Sequence, residues 1–200
     1  MALVGVVVAT QMVEGVSVPL AIVIGLLIGV VAGMFNGGMI AYVGLQPFIV
    51  TLGTLSLFRG MALVYTNGDP IFKVPKEFRA IFGGEIMGLP APIVFMFGVA
   101  IVAYILLNYT RLGIYIKSIG GNEEAARMSG VNTRKYKVIT YTICSVLAAL
   151  AALVLDGRLG AAEPTAGSGY ELDAIAAAAV GGTSMSGGKG NIPVTCLICN

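Results

Sequence analysis

Long apolar runs dominate the pattern of this chain, and short polar stretches separate them. The four longest runs cover residues 19–42, 48–66, 92–109 and 136–155. A helix needs about 20 apolar residues to cross the roughly 30 Å hydrocarbon core of a bilayer, so the pattern predicts four membrane-spanning helices. Two further runs, 2–10 and 192–199, are too short to span. We interpret them as partial spans, and the chain as an internal piece of a longer membrane protein.

Composition supports lipid as the solvent. Hydrophobic residues make up 57% of the chain and charged residues 11%, against about 25% charged residues in a typical soluble domain. The net charge of +2 is too small to indicate nucleic-acid binding. Histidine is absent, which excludes Ser–His catalysis and His-ligated zinc or haem. Cys196 and Cys199 are not accompanied by a second pair of metal ligands, so we expect no metal site. We also expect no cofactor and no catalytic residues.

The basic residues predict the orientation of the spans. Residues 110–137 contain six of the 12 lysines and arginines. By the positive-inside rule, the loop 110–135 is cytoplasmic. Alternation then places residues 43–47 inside, and it places 67–89 and 156–170 outside.

Small residues in the first long span indicate close helix packing. Gly25, Gly29 and Gly33 are four positions apart on one helical face, and Gly37 continues the line. Glycines at this spacing let another helix backbone approach closely. The predicted fold class is therefore all-α, a polytopic transmembrane helix bundle forming one domain over residues 1–200.

The cytoplasmic loop contains signals for one short helix, 123–129. Asn122 is a favourable N-cap, and Glu123 and Glu124 fall in the first turn, where the helix dipole favours anions. Gly130 is a typical residue for ending a helix. Thr133 is placed to cap the span that follows. Because isolated helices this short are marginal in water, the bundle or a partner must hold this one.

A second short helix, 169–180, precedes the glycine-rich stretch GGTSMSGGKG. Ser168 and Glu171 have the spacing of a capping box. The helix is about 18 Å long, too short to span, so we predict a re-entrant segment over residues 169–191. Irregular backbone at membrane depth survives when it is buried in protein or lines a watery cavity. The stretch is not a phosphate loop, because Lys189 is followed by Gly190 rather than by serine or threonine.

Several long strings of the sequence resemble one transporter family. GGNEEAARMSGVN is similar to the cytoplasmic EAA-type loop of ATP-binding-cassette importer permeases. NGGMIAYVGLQPFIVTLGTLSLFRGMALVYTNGDPI and PTAGSGYELDAIAAAAVGGTSMSGGKGN resemble the ribose/galactose/xylose-type sugar permeases of the branched-chain amino acid and sugar permease superfamily. Together these strings cover nearly the whole chain in the family's order. The last ten residues, NIPVTCLICN, depart from the family's glycine-rich pattern.

The resemblance implies a multi-pass permease subunit in a bacterial-type inner membrane. It implies a pore of two permease copies or homologues, an ATP-binding subunit on the cytoplasmic side, and a periplasmic sugar-binding protein that delivers the substrate. The short cytoplasmic helix would be the coupling helix that contacts the ATPase. The residues implied in coupling are Gly121, Asn122, Glu123, Glu124, Ala125, Ala126, Arg127, Ser129 and Gly130.

A second set of residues is expected in the translocation path or its gate. It comprises Thr51, Thr54, Arg59, Glu171, Asp173, Gly181, Gly182, Ser184, Gly187 and Gly188. Four alternatives remain open. The nearest is a branched-chain amino-acid permease of the same superfamily, and the others are a secondary transporter, a channel and a membrane enzyme. The spans lack the paired acids of a secondary transporter, no stretch resembles a selectivity filter, and no nucleophile–base set is present.

Overall fold

The computed structural model describes residues 1–72, 74–86, 88–184, 187, 188, 190, 192 and 195. Nine α-helices and one two-stranded hairpin occur in these residues. The helices are α1 (Ala2–Val13), α2 (Val18–Gly38), α3 (Pro47–Thr66), α4 (Lys76–Phe82), α5 (Ala91–Tyr109), α6 (Arg111–Gly121), α7 (Glu123–Met128), α8 (Thr133–Leu159) and α9 (Tyr170–Val180). The antiparallel strands are β1 (Glu85–Ile86) and β2 (Leu89–Pro90).

Proline and left-handed residues set the ends of the long helices. Pro19 and Pro47 lie in the first turns of α2 and α3, where a missing N–H costs no helix hydrogen bond. Helix α2 continues through a π-helical turn, Met39–Val43, which ends at Gly44 with φ +78°. Helix α3 ends at Asn67 with φ +53°, a conformation that asparagine tolerates better than most residues.

The described residues contain four helices long and apolar enough to cross a membrane: Val18–Val43, Pro47–Thr66, Ala91–Tyr109 and Thr133–Leu159. These bounds lie within a few residues of the expected spans, and the predicted all-α polytopic bundle is confirmed. Helix α8 is longer at both ends than the run 136–155. Helix α4 with the hairpin, and helix α6, were not predicted; both lie in stretches expected to be loops. Of the partial span 192–199, only residues 192 and 195 are described.

The first of two compact units comprises Met1–Phe95 and Val138–Gly167. Its core joins α1, α2, α4 and α8 through buried apolar side chains, among them Val8, Phe78 and Leu153. The ring of Phe82 lies 4.8 Å from that of Phe78 and 5.1 Å from that of Phe95. These contacts fix α4 on the core of the unit.

The glycine line of α2 lies against neighbouring helices within this unit. A Cβ atom at Gly33 would be 2.5 Å from the Cα of Thr142 in α8, and one at Gly29 would be 2.9 Å from the Cβ of Ala149. A Cβ atom at Gly25 would be 2.6 Å from a methyl group of Val8 in α1. Each distance is shorter than van der Waals contact, so only glycine allows the helices to approach this closely.

The second unit comprises Met96–Lys137 and the chain from Ser168 onward. It contains α5 from Met96 onward, α6, α7, the first turn of α8 and helix α9.

Two of the predicted helix caps were wrong. The side chain of Asn132, rather than Thr133, accepts a hydrogen bond from the Lys135 amide at 3.2 Å. Helix α9 has Gly169 as its N-cap, with φ +90° and no side-chain cap bond, because the left-handed turn moves Ser168 one position outside the helix.

Candidate functional site

Helix α7 is short, but both of its ends are closed by hydrogen bonds. The side chain of Asn122 accepts a bond from the Ala125 amide at 3.0 Å. At the other end Gly130 has φ +83°, and its amide donates to the Arg127 carbonyl at 3.0 Å. The Val131 amide donates to the Ala126 carbonyl at 3.1 Å, which completes a Schellman motif. The six residues of α7 therefore form a defined helix, whereas an uncapped helix of this length would fray.

An ion pair ties α7 to the start of α8. The Lys137 ammonium lies 2.6 Å from both carboxylate oxygens of Glu123. The hydrogen bond from Lys137 lowers the pKa of the Glu123 carboxyl below its ordinary value of 4.5. The two residues are 14 positions apart in sequence, so this contact fixes the orientation of α7 relative to the following helix. Glu123 is therefore engaged within the chain.

The outward face of α7 carries its remaining polar groups and one large apolar side chain. Glu124 and Arg127 face each other at 3.9 Å with both side chains more than 70% exposed. Met128 is 85% exposed, more than any other large hydrophobic residue in the described part of the chain. Ala126 points inward and is buried. Sequence reasoning did not select Met128, although exposed methionine is typical of binding surfaces.

Helix α6 supports α7 from the side of the preceding span. The side chain of Thr110 caps α6 by accepting a bond from the Gly113 amide at 3.4 Å. The ring of Tyr115 in α6 lies 4.8 Å from that of Tyr136 in α8. A peptide hydrogen bond from Asn122 to the Ser118 carbonyl, 3.0 Å, joins α6 directly to α7. The other expected coupling residues Gly121, Ala125 and Ser129 are exposed on this same segment.

The expected path residues of α3 lie in the first unit. The hydroxyl of Thr51 donates to the Pro47 carbonyl at 3.0 Å, and that of Thr54 donates to the Val50 carbonyl at 3.0 Å. Thr54 is buried, and both hydroxyls satisfy their donors within their own helix. Arg59 is half-buried, and no carboxylate of the described residues lies within ion-pair distance of it.

The other expected path residues lie in the second unit. Glu171 and Asp173 fall in the first turn of α9, where the helix dipole favours their charge. Gly181 and Gly182 end this helix, and a Cβ atom at Gly181 would be 2.8 Å from the Cα of Thr195. Ser184, Gly187 and Gly188 follow, with Gly187 donating its amide to the Ser184 carbonyl at 3.0 Å. Residues 185, 186, 189 and 191 of the expected re-entrant segment lie outside the described residues.

Asp156 is a buried carboxyl near the end of α8. Its side chain is 4% exposed, and its Oδ2 atom has no hydrogen-bond partner among the described residues. The backbone of Gly5 in α1 approaches this carboxyl so closely that a Cβ atom there would collide with it. The sequence placed Asp156 only at a span end, because burial of the carboxyl depends on the contact with α1.

These features define a multi-pass membrane protein. The segment between its last two long helices contains α7, a short helix that is capped at both ends and held to α8 by an ion pair. The chain belongs to the permease family described as the branched-chain amino acid transport system permease component, whose family model matches residues 1–197. This membership agrees with the family resemblance of the sequence strings.

Several curated relatives carry the names of sugar permeases. The chain is 43% identical to the ribose import permease protein of Escherichia coli strain K12 over 98% of its own length and 63% of that protein. It is 44% identical to the ribose import permease protein of Bacillus subtilis strain 168, over 95% of the chain and 60% of that protein. It is 42% identical to the D-allose transport system permease protein of E. coli K12, over 96% and 59%. No solved structure matches the chain.

Proposed function

We propose that this chain forms the membrane-spanning part of a permease subunit in an ATP-driven sugar importer. In this proposal α7 is the coupling helix, which binds an ATP-hydrolysing subunit on the cytoplasmic side. A periplasmic sugar-binding protein delivers the substrate from outside, and a second permease copy or homologue completes the pore. In this proposal the partner subunit performs ATP hydrolysis, and the permease resides in a bacterial-type inner membrane.

The braced helix α7 is the observation that carries the proposal. A helix that must transmit force cannot rotate or unwind under load. Both ends of α7 are capped, and Glu123 anchors it to Lys137 at the start of α8. Helix α8 is 27 residues long and packs against the glycine line of α2. A displacement of α7 by a partner would therefore move a membrane-spanning helix within the bundle.

The exposed face of α7 fits a partner with an apolar pocket and a polar rim. Met128 would bury its side chain in the pocket, and complete burial of a methionine is worth about 1.5–3 kcal/mol. Glu124 and Arg127, both exposed at the surface, would lie at the rim. Central apolar anchors with polar surroundings are typical of protein interfaces.

A simple sugar is the substrate class that the relatives favour. Both ribose permeases and the D-allose permease have names that specify aldoses. The buried path of such a permease needs only weak polar contacts when a binding protein supplies the selectivity. We propose Thr51, Thr54 and Arg59 of α3 as candidates for that path or its gate. Residues at the two ends of α9 are further candidates: Glu171, Asp173, Gly181, Gly182 and Ser184.

An ordered surface on the side expected to be external supports contact with a delivery protein. Phe78 and Phe82 anchor α4 in the core, and the peptide groups of Ile71 and Ala162 exchange two hydrogen bonds of 2.9 Å. The exposed side chains of Lys76 and Glu77 therefore stand on a fixed base. We propose this surface as part of the contact with the sugar-binding protein.

Charge reversal at Glu124 tests the coupling assignment. The variant Glu124→Lys, in the full-length protein, changes the exposed face of α7 and leaves the Glu123–Lys137 pair in place. We expect the ATP-binding subunit to co-purify less with this variant at equal permease expression. The matched control is Glu77→Lys, an exposed glutamate in the first turn of α4. Equal co-purification with both variants would refute the assignment of α7.

A branched-chain amino-acid importer is the second candidate function. The description of the matching family favours it, whereas the names of the three relatives favour sugars. Both candidates use the same architecture and the same coupling helix. Uptake of labelled leucine by cells expressing the full-length protein, measured beside labelled ribose, separates the two.

A further inference from the structure

The glycine-rich stretch after α9 contacts the chain directly before the coupling helix. A Cβ atom at Gly120 would lie 2.6 Å from the amide nitrogen of Gly188, and one at Gly187 would lie 2.5 Å from the carbonyl oxygen of Gly120. A Cβ atom at Gly188 would be 3.0 Å from the Cα of Gly121. The two segments therefore meet backbone to backbone, at a distance that no side chain allows.

Two independent constraints require glycine on the side of the stretch. Gly187 has φ +91° and Gly188 has φ +78°, which is a conformation that residues with a Cβ atom rarely adopt. The space next to both residues is also filled by the backbone of α6. The contact is thus specific to these positions, and a flexible linker would not need it.

The contact lies at the hinge between α6 and α7. Gly120 and Gly121 are the last residues of α6, and the next residue, Asn122, is the N-cap of α7. A rotation or translation of α7 must therefore displace the backbone against which Gly187 and Gly188 rest.

The described residues that follow α9 form hydrogen-bonded turns. The amide of Thr183 donates to the Ala178 carbonyl at 3.0 Å, and that of Gly182 donates to the Ala179 carbonyl at 3.2 Å. Gly182 has φ +80°, so these bonds form a second Schellman motif. The Gly187 amide then bonds to the Ser184 carbonyl, as described above.

We infer that Gly120, Gly187 and Gly188 position the glycine stretch against the coupling segment and transmit its movement to α9. Movement of the coupling helix is then transmitted by two routes, to α8 through the Glu123–Lys137 pair and to α9 through this glycine contact. The inference rests on the proposed function, since it assigns a second route for coupling within that importer. Gly187 and Gly188, which the sequence indicates as path or gate residues, thereby act at the base of the coupling helix.

Two matched pairs of variants in the assembled full-length importer test this inference. Gly120→Ala is compared with Gly98→Ala, since a Cβ atom at Gly98 meets nothing within 4 Å. Gly188→Asn is compared with Gly44→Asn, because both glycines have φ +78° but only Gly188 touches another segment. Asparagine tolerates this conformation, so the comparison isolates the lost contact from backbone strain.

The readout is the amount of labelled ribose imported per ATP hydrolysed in proteoliposomes. This ratio does not depend on the fraction of folded importer. We expect Gly120→Ala and Gly188→Asn to keep the ATPase subunit bound but to lower the ratio about five- to 150-fold, the usual range of coupling between sites. The double variant should lower the ratio no further than the more damaging single variant does, because the two single variants remove the same contact.

Three results would overturn the inference. They are a ratio equal to that of the matched control, additive losses in the double variant, and loss of assembly in both variants while their controls assemble. The unmodified importer reports separately on the proposed function. If it imports no ribose at the expense of ATP, the proposed function fails; if it does so and the variants equal their controls, only the glycine inference fails.

Discussion

Replacing Gly33 with alanine should loosen the packing of α2 on α8. The new Cβ atom would lie 2.5 Å from the Cα of Thr142 and 2.8 Å from the carbonyl oxygen of Tyr141. Carbon atoms in contact are normally about 3.5–4.0 Å apart, so the helices must separate by roughly 1 Å at this point. Both obstructing atoms belong to the backbone of α8, which cannot rotate away as a side chain would.

The magnitude follows from comparison with a glycine in open space. Overpacking a close contact costs about 1–3 kcal/mol. Gly53 in α3 has nothing within 4 Å of a Cβ atom, so Gly53→Ala carries no such cost. Any gain in helix propensity, at most about 1 kcal/mol, applies equally to both variants and cancels in the difference. We expect Gly33→Ala to be less stable than Gly53→Ala by about 1–3 kcal/mol.

Reversible unfolding of the full-length protein in mixed detergent micelles measures this difference. The loss of tertiary structure is followed as the fraction of denaturing detergent rises, with both variants at equal concentration. A second variant, Gly29→Leu, extends the series, because its larger side chain meets Ala149 and the Ser145 carbonyl and should damage assembly further. Equal stability of Gly33→Ala and Gly53→Ala would refute the close-packing argument.

Helix α7, as the proposed coupling helix, allows three further predictions, each measured by binding of the ATP-binding subunit. Because the pKa of Glu123 is lowered, the ion pair should hold α7 above about pH 4.5 and lose its effect as the pH falls through the lower folded-state pKa. Glu123→Gln should remove that pH dependence; an unchanged profile would contradict it. Met128→Ala should weaken binding by about 1–2 kcal/mol, whereas Met61→Ala, on the exposed surface of α3, should have no effect. Asn122→Ala should destabilise α7 by about 1 kcal/mol and Asn122→Asp should not, so equal binding by both variants would argue against the cap.

Features that depend on local chemistry could be predicted from the sequence. The four long helices follow from apolar runs of sufficient length, and the ends of α7 follow from Asn122 and Gly130. Each of these signals acts within a few residues of the position it controls. The fold class and the borders of the candidate coupling helix therefore required no knowledge of tertiary contacts.

Features that depend on contacts between distant segments could not be predicted. Nothing in the spacing of Glu123 and Lys137 indicates that they pair, and nothing in the glycine stretch indicates that it meets Gly120. The caps of α8 and α9 show a related failure. Thr133 and Ser168 have suitable side chains, but the chain enters each helix one residue away from the position expected. Helix α4 was not predicted because it is stabilised by packing of Phe78 and Phe82 in the core of the unit, which the local sequence does not indicate.

Uptake in cells lacking the full-length gene tests the central claim most directly. The cells are offered labelled ribose, xylose, galactose and leucine, with and without the gene restored, and with the Glu124→Lys variant in its place. We expect uptake of one sugar to be lost, to return with the unmodified gene, and to remain low with the variant. Loss of leucine uptake alone would contradict the sugar assignment, and full uptake with the variant would contradict the proposed coupling role of α7.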